Sequence, residues 1–184
     1  YHVSVSGQAV DNEVSLVRVQ NRLGSNDRVF RNVLSQFWGW SENDFKRELR
    51  QQLLQQAVVA KLDTATNQRA QAALTALQQG AAFADVARQY SDDTNTSANG
   101  GQYAGAITAN DPNLAPQLTQ ALFQLQAGQT SAIINTGYTL EIVKVLTSGT
   151  GSVTAAHIQF TFQPIATYTA PLAKAHPAHD YIKP

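Results

Sequence analysis

Four histidines and no cysteine limit the covalent and metal chemistry open to this chain. Without a thiol there is no disulfide, no thiolate nucleophile and no sulfur ligand for a metal. His176, His179 and Asp180 crowd into the run HPAHD. An H-x-x-H spacing serves a metal when a helix aims both imidazoles at one point. Pro177 interrupts this run, so its residues read as solvated and no metal site is expected. Gly100-Gly101 is no phosphate cradle, because neither a lysine nor a helix start follows it. Asp93 lies in SDDTNTSANGG, a run of turn formers in which a carboxylate most often holds its own backbone. His157 lies in VTAAHIQFTF, whose alternation puts His157, Gln159 and Thr161 on one strand face and Ile158, Phe160 and Phe162 on the other. None of these patterns calls for a cofactor.

The elements that must position these residues read clearly from periodicity. Residues 3–10 alternate enough for a short strand, with Gly7 turning the chain before Asp11 or Asn12 caps a helix carrying Val14, Val17 and Leu23. Val29, Phe30, Val33, Leu34 and Phe37 form a helical stripe closed by Gly39. Ser41 then caps a long helix over 42–61, with Trp40 and Phe45 at the positions of a hydrophobic staple and Asp44 complementing the helix dipole. That helix runs straight through AVVAKLDTATNQ into one bearing Ala73, Leu74 and Leu77, which Gly80 stops. A short helix (Phe83, Val86, Ala87, Tyr90), a loop, a strand and the proline-opened helix LAPQLTQALFQL follow. After the QAGQTS turn come two β-branched runs split by Gly137, then SGTGS and the strand around His157. The last stretch holds four of the six prolines and no period, so it is expected to be extended.

A chain of 184 residues with 43% apolar content can bury one good core or two small modules. Charge is sparse, 14% against roughly 25% in ordinary soluble domains. Thirteen basic and thirteen acidic groups cancel, which argues against a nucleic-acid partner. Partners should therefore be met through apolar and hydrogen-bonding contacts. No run approaches the length of a membrane span. The chain opens on Tyr1, and it reads as a fragment or processed product.

Taken in order, Gly80, Phe83, Ala87, Tyr90, Ser91, Asp93, Gly100, Gly101, Ala121 to Leu125, Gly128, Ser131, Gly137, Tyr138 and Ile142 to Val145 resemble the parvulin family of peptidyl-prolyl isomerases, in the form carried by SurA- and PrsA-like cell-envelope foldases. The resemblance implies an α+β fold: a helical chaperone-like module over 1–63, a parvulin-like antiparallel sheet with helices (the FKBP-like superfold) over 64–162, and a proline-rich extended tail over 163–184. The family opens with a strand of the type A-x-H-I-L-V, and no place for it exists before the first parvulin helix here. Ala156-His157-Ile158 echoes it at the far end. Two arrangements stay open. In one, strand 154–162 forms a hairpin with 138–146 and replaces the missing first strand, a circular permutation. In the other it begins a second, truncated repeat. An empty central slot would strand backbone groups at ~1–3 kcal/mol each, which favours the first, and the SGTGS linker is of hairpin length.

Turning an X-Pro bond needs no nucleophile. The rotational barrier of ~18–20 kcal/mol falls when the ring is held in an apolar cup and the amide is twisted. By resemblance, Asp93 matches the Asp/Cys position, Thr136 the hydroxyl position, and His157 the first histidine if the permuted strand forms. Thr139 stands where the second histidine is expected, in GYT for GYH. Leu114 and Leu118 replace the Met and Phe of the proline cup, Phe123 is retained, and GGDLG has become GGQYAG. Trp38 and Trp40 are either core or part of a groove for non-native chains. The implied function is an extracytoplasmic folding factor, in the periplasm or at the cell surface, that binds unfolded or proline-containing polypeptide through a degenerate parvulin domain and a helical module. A membrane anchor ahead of Tyr1 is compatible with that place. The alternatives are an active isomerase and a noncatalytic docking domain of a larger surface protein.

Overall fold

Ser6, Asn26 and Ser41 each set a side-chain oxygen against the free amides of a helix start. They open α1 (Gly7–Gln20), α2 (Asp27–Trp38) and α3 (Glu42–Leu62) in the computed structural model, which describes residues 2–175. The strand expected over 3–10 does not form. Ser6 Oγ accepts from the Ala9 amide at 3.1 Å, so the helix begins at Gly7 and local capping overrides the weak alternation. At α3, Ser41 and Asp44 make a reciprocal capping box. Val10, Val14, Phe30, Leu34 and Leu49 form the buried core of these three helices. Phe45 meets Phe30 edge-on, with ring centroids 5.5 Å apart.

The unbroken helix expected between α3 and the next element is interrupted at Asp63, which is 2% exposed. Its carboxylate accepts from the Thr66 amide at 3.1 Å, opening α4 (Thr64–Gln78), and from the Gln163 amide at 2.9 Å. One buried acid thus ends a helix, starts another and fixes the chain after the last strand. Gly80, at φ +94°, turns the chain into α5 (Phe83–Tyr90).

Strands β1 (Ile107–Thr108), β2 (Ile134–Asn135), β3 (Thr139–Gly149) and β4 (Ser152–Thr161) form one antiparallel sheet in the order β1-β4-β3-β2. The β3–β4 ladder runs from Thr139↔Thr161 to Gly149↔Ser152, with a bulge between Val145 and Thr147. The segment bearing His157 therefore occupies an inner place in this sheet.

The period of two divides the core. Leu140, Ile142, Ala156, Ile158 and Phe160 pack under α4 and α5 with Ala70, Ala73, Phe83 and Val86. Val143, Val145, Val153 and Ala155 pack on the other face with Leu118 and Leu122 of α6 (Pro116–Gln124). Each of the larger side chains among them, the valines, leucines, isoleucines and phenylalanines, contributes ~1.5–3 kcal/mol on full burial. Beyond β4, where an extended segment is expected, α7 (Ala166–Ala175) forms despite Pro171. Its alanines favour helix, and Ile165 and Tyr168 pack onto the α4–α5 core. His176, His179 and Asp180 lie outside the described residues.

Candidate functional site

Alternation along β4 turns His157 toward the α6 side of the sheet, where Glu141 of β3 is its diagonal neighbour. His157 Nδ1 lies 2.9 Å from Glu141 Oε2. Its Nε2 lies 3.0 Å from Asp93 Oδ2 and 3.0 Å from Thr96 Oγ1. The Thr139 hydroxyl donates to Glu141 Oε1 at 3.0 Å and lies 2.7 Å from the Thr136 hydroxyl. Asp93, Thr136, Thr139 and His157, the four polar residues singled out in the sequence, are thus joined in one hydrogen-bonded chain.

Three consecutive residues after α5 are stitched to β4. Ser91 Oγ accepts from the Gln159 amide at 3.1 Å. Asp92 accepts from the Thr161 amide at 2.8 Å and pairs with Arg69 at 2.6 Å. Asp93 reaches His157. Its carboxyl is pushed up by burial, but hydrogen bonds from Thr96, the Asn95 amide and His157 outweigh this and hold it below the usual range. The Gly100-Gly101 turn completes the frame. The His157 amide donates to the Gly101 carbonyl at 2.8 Å, and a Cβ on Gly101, which sits at φ +79°, would run into the His157 carbonyl.

Tyr103 closes the site. Its amide donates to the Ala155 carbonyl at 3.1 Å, fixing it to β4, and its ring stacks on His157 with centroids 4.4 Å apart and planes 25° from parallel. The same side chain packs against the apolar cluster that holds Leu118 and touches Leu114. Burial, with the charges of Glu141 and Asp93, pushes the Tyr103 phenol far up, so it stays a neutral ring. His157 is 5% exposed beneath it.

The apolar residues expected to form a proline cup differ in exposure, with Leu114 packed against the cluster that holds Leu118 and Phe123 38% exposed. Leu118 is buried in the α6 core. Leu114 and Phe123 line a groove between α1 and the loop leading into α6, and Thr136 borders the same groove. Trp38 and Trp40 are exposed at the α2–α3 junction with Phe37, their neighbouring centroids 6.1 and 6.4 Å apart. Among the described residues no group of three His, Asp or Glu side chains is arranged to hold a metal ion, and no helix is long and apolar enough to cross a membrane. Glu141, Thr96 and Tyr103 are the members that sequence reasoning misses. The acid in TLEIVKV, two residues from Thr139 in an otherwise apolar strand, is the available signal for the first.

None of the curated proteins matches this chain. Among solved structures, a peptidylprolyl isomerase (PrsA) from Bacillus anthracis is 19% identical, with 93% of this chain and 79% of that one covered and a TM-score of 0.31. The foldase protein PrsA from Streptococcus pneumoniae is 20% identical, with 93% and 68% covered and a TM-score of 0.32. The family model for the rotamase, PPIC-type PPIase domain matches residues 51–147, just over half of the sequence and ending short of β4. The chain therefore belongs to the parvulin, or PPIC-type peptidyl-prolyl isomerase, family.

Proposed function

We propose that this protein is a folding factor that binds unfolded or proline-containing polypeptide and retains little or no isomerase activity. The observation that carries this reading is the Tyr103 ring lying flat on His157. To twist an X-Pro amide, a parvulin must bring the prolyl segment against its polar network. Here that face of the imidazole is covered, both ring nitrogens are engaged, and a threonine stands at the second histidine position. The groove beside α6 stays open, which supports binding without catalysis. Action outside the cytoplasm, suggested by the sequence resemblance to envelope foldases, is part of the proposal. Cell fractionation tests that part.

Two assays separate the readings. Suppression of aggregation of a denatured client, together with a proline-peptide isomerisation rate within error of buffer, is the expected result. No suppression at stoichiometric excess would leave a docking role, and a rate well above buffer would make the protein a working isomerase. The joined Asp93–His157–Glu141–Thr139–Thr136 chain is what favours that second reading. Tyr103→Leu, which restores the leucine of the family's loop, is expected to raise the rate above wild type while client suppression stays unchanged. If the rate stays flat in the folded variant, Tyr103 is not the obstacle.

A further inference from the structure

Glu13 and Leu16 stand one turn apart on α1 and face the loop that leads into α6. The space between them is a groove in two adjoining stretches of about 600 and 910 Å³, both bordered by Glu13, Leu16, Pro112 and Leu114. Its walls mix apolar and uncharged polar side chains, with Leu53 and Tyr138 at one end, Val19 and Phe123 at the other, and Gln20 and Gln117 along both stretches. Val19 is 70% exposed, an unpartnered valine on the rim. Glu13 has neither a side-chain hydrogen bond nor an ion pair among the described residues. Burial alone acts on it and pushes its carboxyl above the ordinary glutamate range. The other charges on the groove are Arg22 and Asp111 at the Val19 end, where Asp111 already accepts from the Asn113 amide at 2.9 Å. The groove therefore carries apolar patches and an anionic excess, and its half-buried carboxylate lacks the partner that would offset desolvation.

We infer that the groove takes an extended client segment in which a lysine or arginine is flanked by apolar side chains, with Glu13 as the partner of the cation. The stem of such a side chain lies along Leu16 while its charged head reaches the carboxylate, and the flanking residues meet Leu114 and Phe123. This rests on the polypeptide-binding reading and adds its substrate class.

The test uses a short labelled peptide of leucine, alanine and serine with one central lysine, a twin with glutamine at that place, and fluorescence anisotropy at low salt. Wild type is expected to bind the lysine peptide roughly fivefold tighter, a preference lost at high salt. Glu13→Gln should bind both peptides equally, at the wild-type affinity for the glutamine twin. Glu13→Lys, checked for native circular dichroism, should turn the preference toward a glutamate twin. Equal binding of both peptides by wild type, or a lysine preference that survives Glu13→Gln, overturns the inference and leaves polypeptide binding standing. Competition by spermidine as strong as by the lysine peptide also overturns it, because the apolar patches would then be idle. Binding of no peptide at all, with no client suppression, overturns both.

Discussion

The His157 network and the α1–α6 groove hold the chain's polar groups in opposite ways. Around His157 each donor and acceptor meets another from the same chain: Asp93 and Thr96 on one ring nitrogen, Glu141 on the other, Thr139 and Thr136 behind Glu141. Along the groove, Glu13 meets none, and the leucines and valine around it are left partly open. Buried polar groups that satisfy one another rigidify a fold and have little left to offer a ligand. A half-buried group without a partner is what a ligand can complete. On the proposed reading, the polar residues around His157 serve the sheet, and the groove beside it is where a ligand would be held.

The largest effect should come from removing the hub. His157→Leu leaves Asp93 and Glu141, both mostly buried, turned toward a hydrocarbon side chain. Loss of one member of a buried charged or hydrogen-bonded set costs about 3–5 kcal/mol. Urea unfolding is expected to show that loss or failure to fold at all. A change under about 1 kcal/mol would mean that the network is decoration on a sheet held by its apolar faces, and the contrast with the groove would lose its meaning.

Alternation over 154–162 is enough to place His157 on one face of a strand, and the hairpin-length SGTGS is enough to return that strand along β3. Those two local signals carry the β3–β4 pairing. Glu141 is not legible the same way, because its meeting with His157 is diagonal and depends on a register that pairs Val143 with His157. Tyr103 escapes for a similar reason: only the loop's pairing with β4 brings its ring over the imidazole. The break at Asp63 is hidden by continuous helix propensity on both sides, although its carboxylate caps the Thr66 amide and also meets the Gln163 amide a hundred residues away. Leu118 of α6 lies in the core at 4% exposure, a burial that depends on how α6 seats on the sheet.

Asp63 gives a smaller, pH-dependent test of how far satisfied polar groups hold the fold. Burial pushes its carboxyl up, yet hydrogen bonds from Gln163, Thr66 and Tyr168 outweigh this and hold it below the usual range. Asp93 is depressed in the same sense. A depressed carboxyl contributes stability that is fully present above the unfolded value, ~3.9 for aspartate, and is lost as the pH falls through the folded value. Stability should therefore be level near neutrality and fall as the pH drops below about 4. Asp63→Asn should cost about 1.5–3 kcal/mol at pH 7, the scale of hydrogen bonds to a charged group, and should make the acid limb shallower. An acid limb identical to wild type would place the sensitivity elsewhere.

The smallest effect sharpens the contrast most. Thr139→Val keeps a β-branched shape suited to β3 while removing the hydroxyl that donates to Glu141 and touches Thr136. Glu141 keeps its contact with His157, so the expected loss is that of one hydrogen bond, about 0.5–1.5 kcal/mol. Glu13 lies on α1, outside that chain of bonds, and changes at sites that share no partners add independently. Peptide affinity in the groove should thus be unchanged in Thr139→Val, and the stability loss should simply add to that of Glu13→Gln in the double variant. Thr136 is the one residue belonging to both regions, since it bonds to Thr139 and borders the groove beside Tyr138. A shift in peptide affinity on removing the Thr139 hydroxyl would therefore have to travel through Thr136, and would show that the closed site and the open groove act as one.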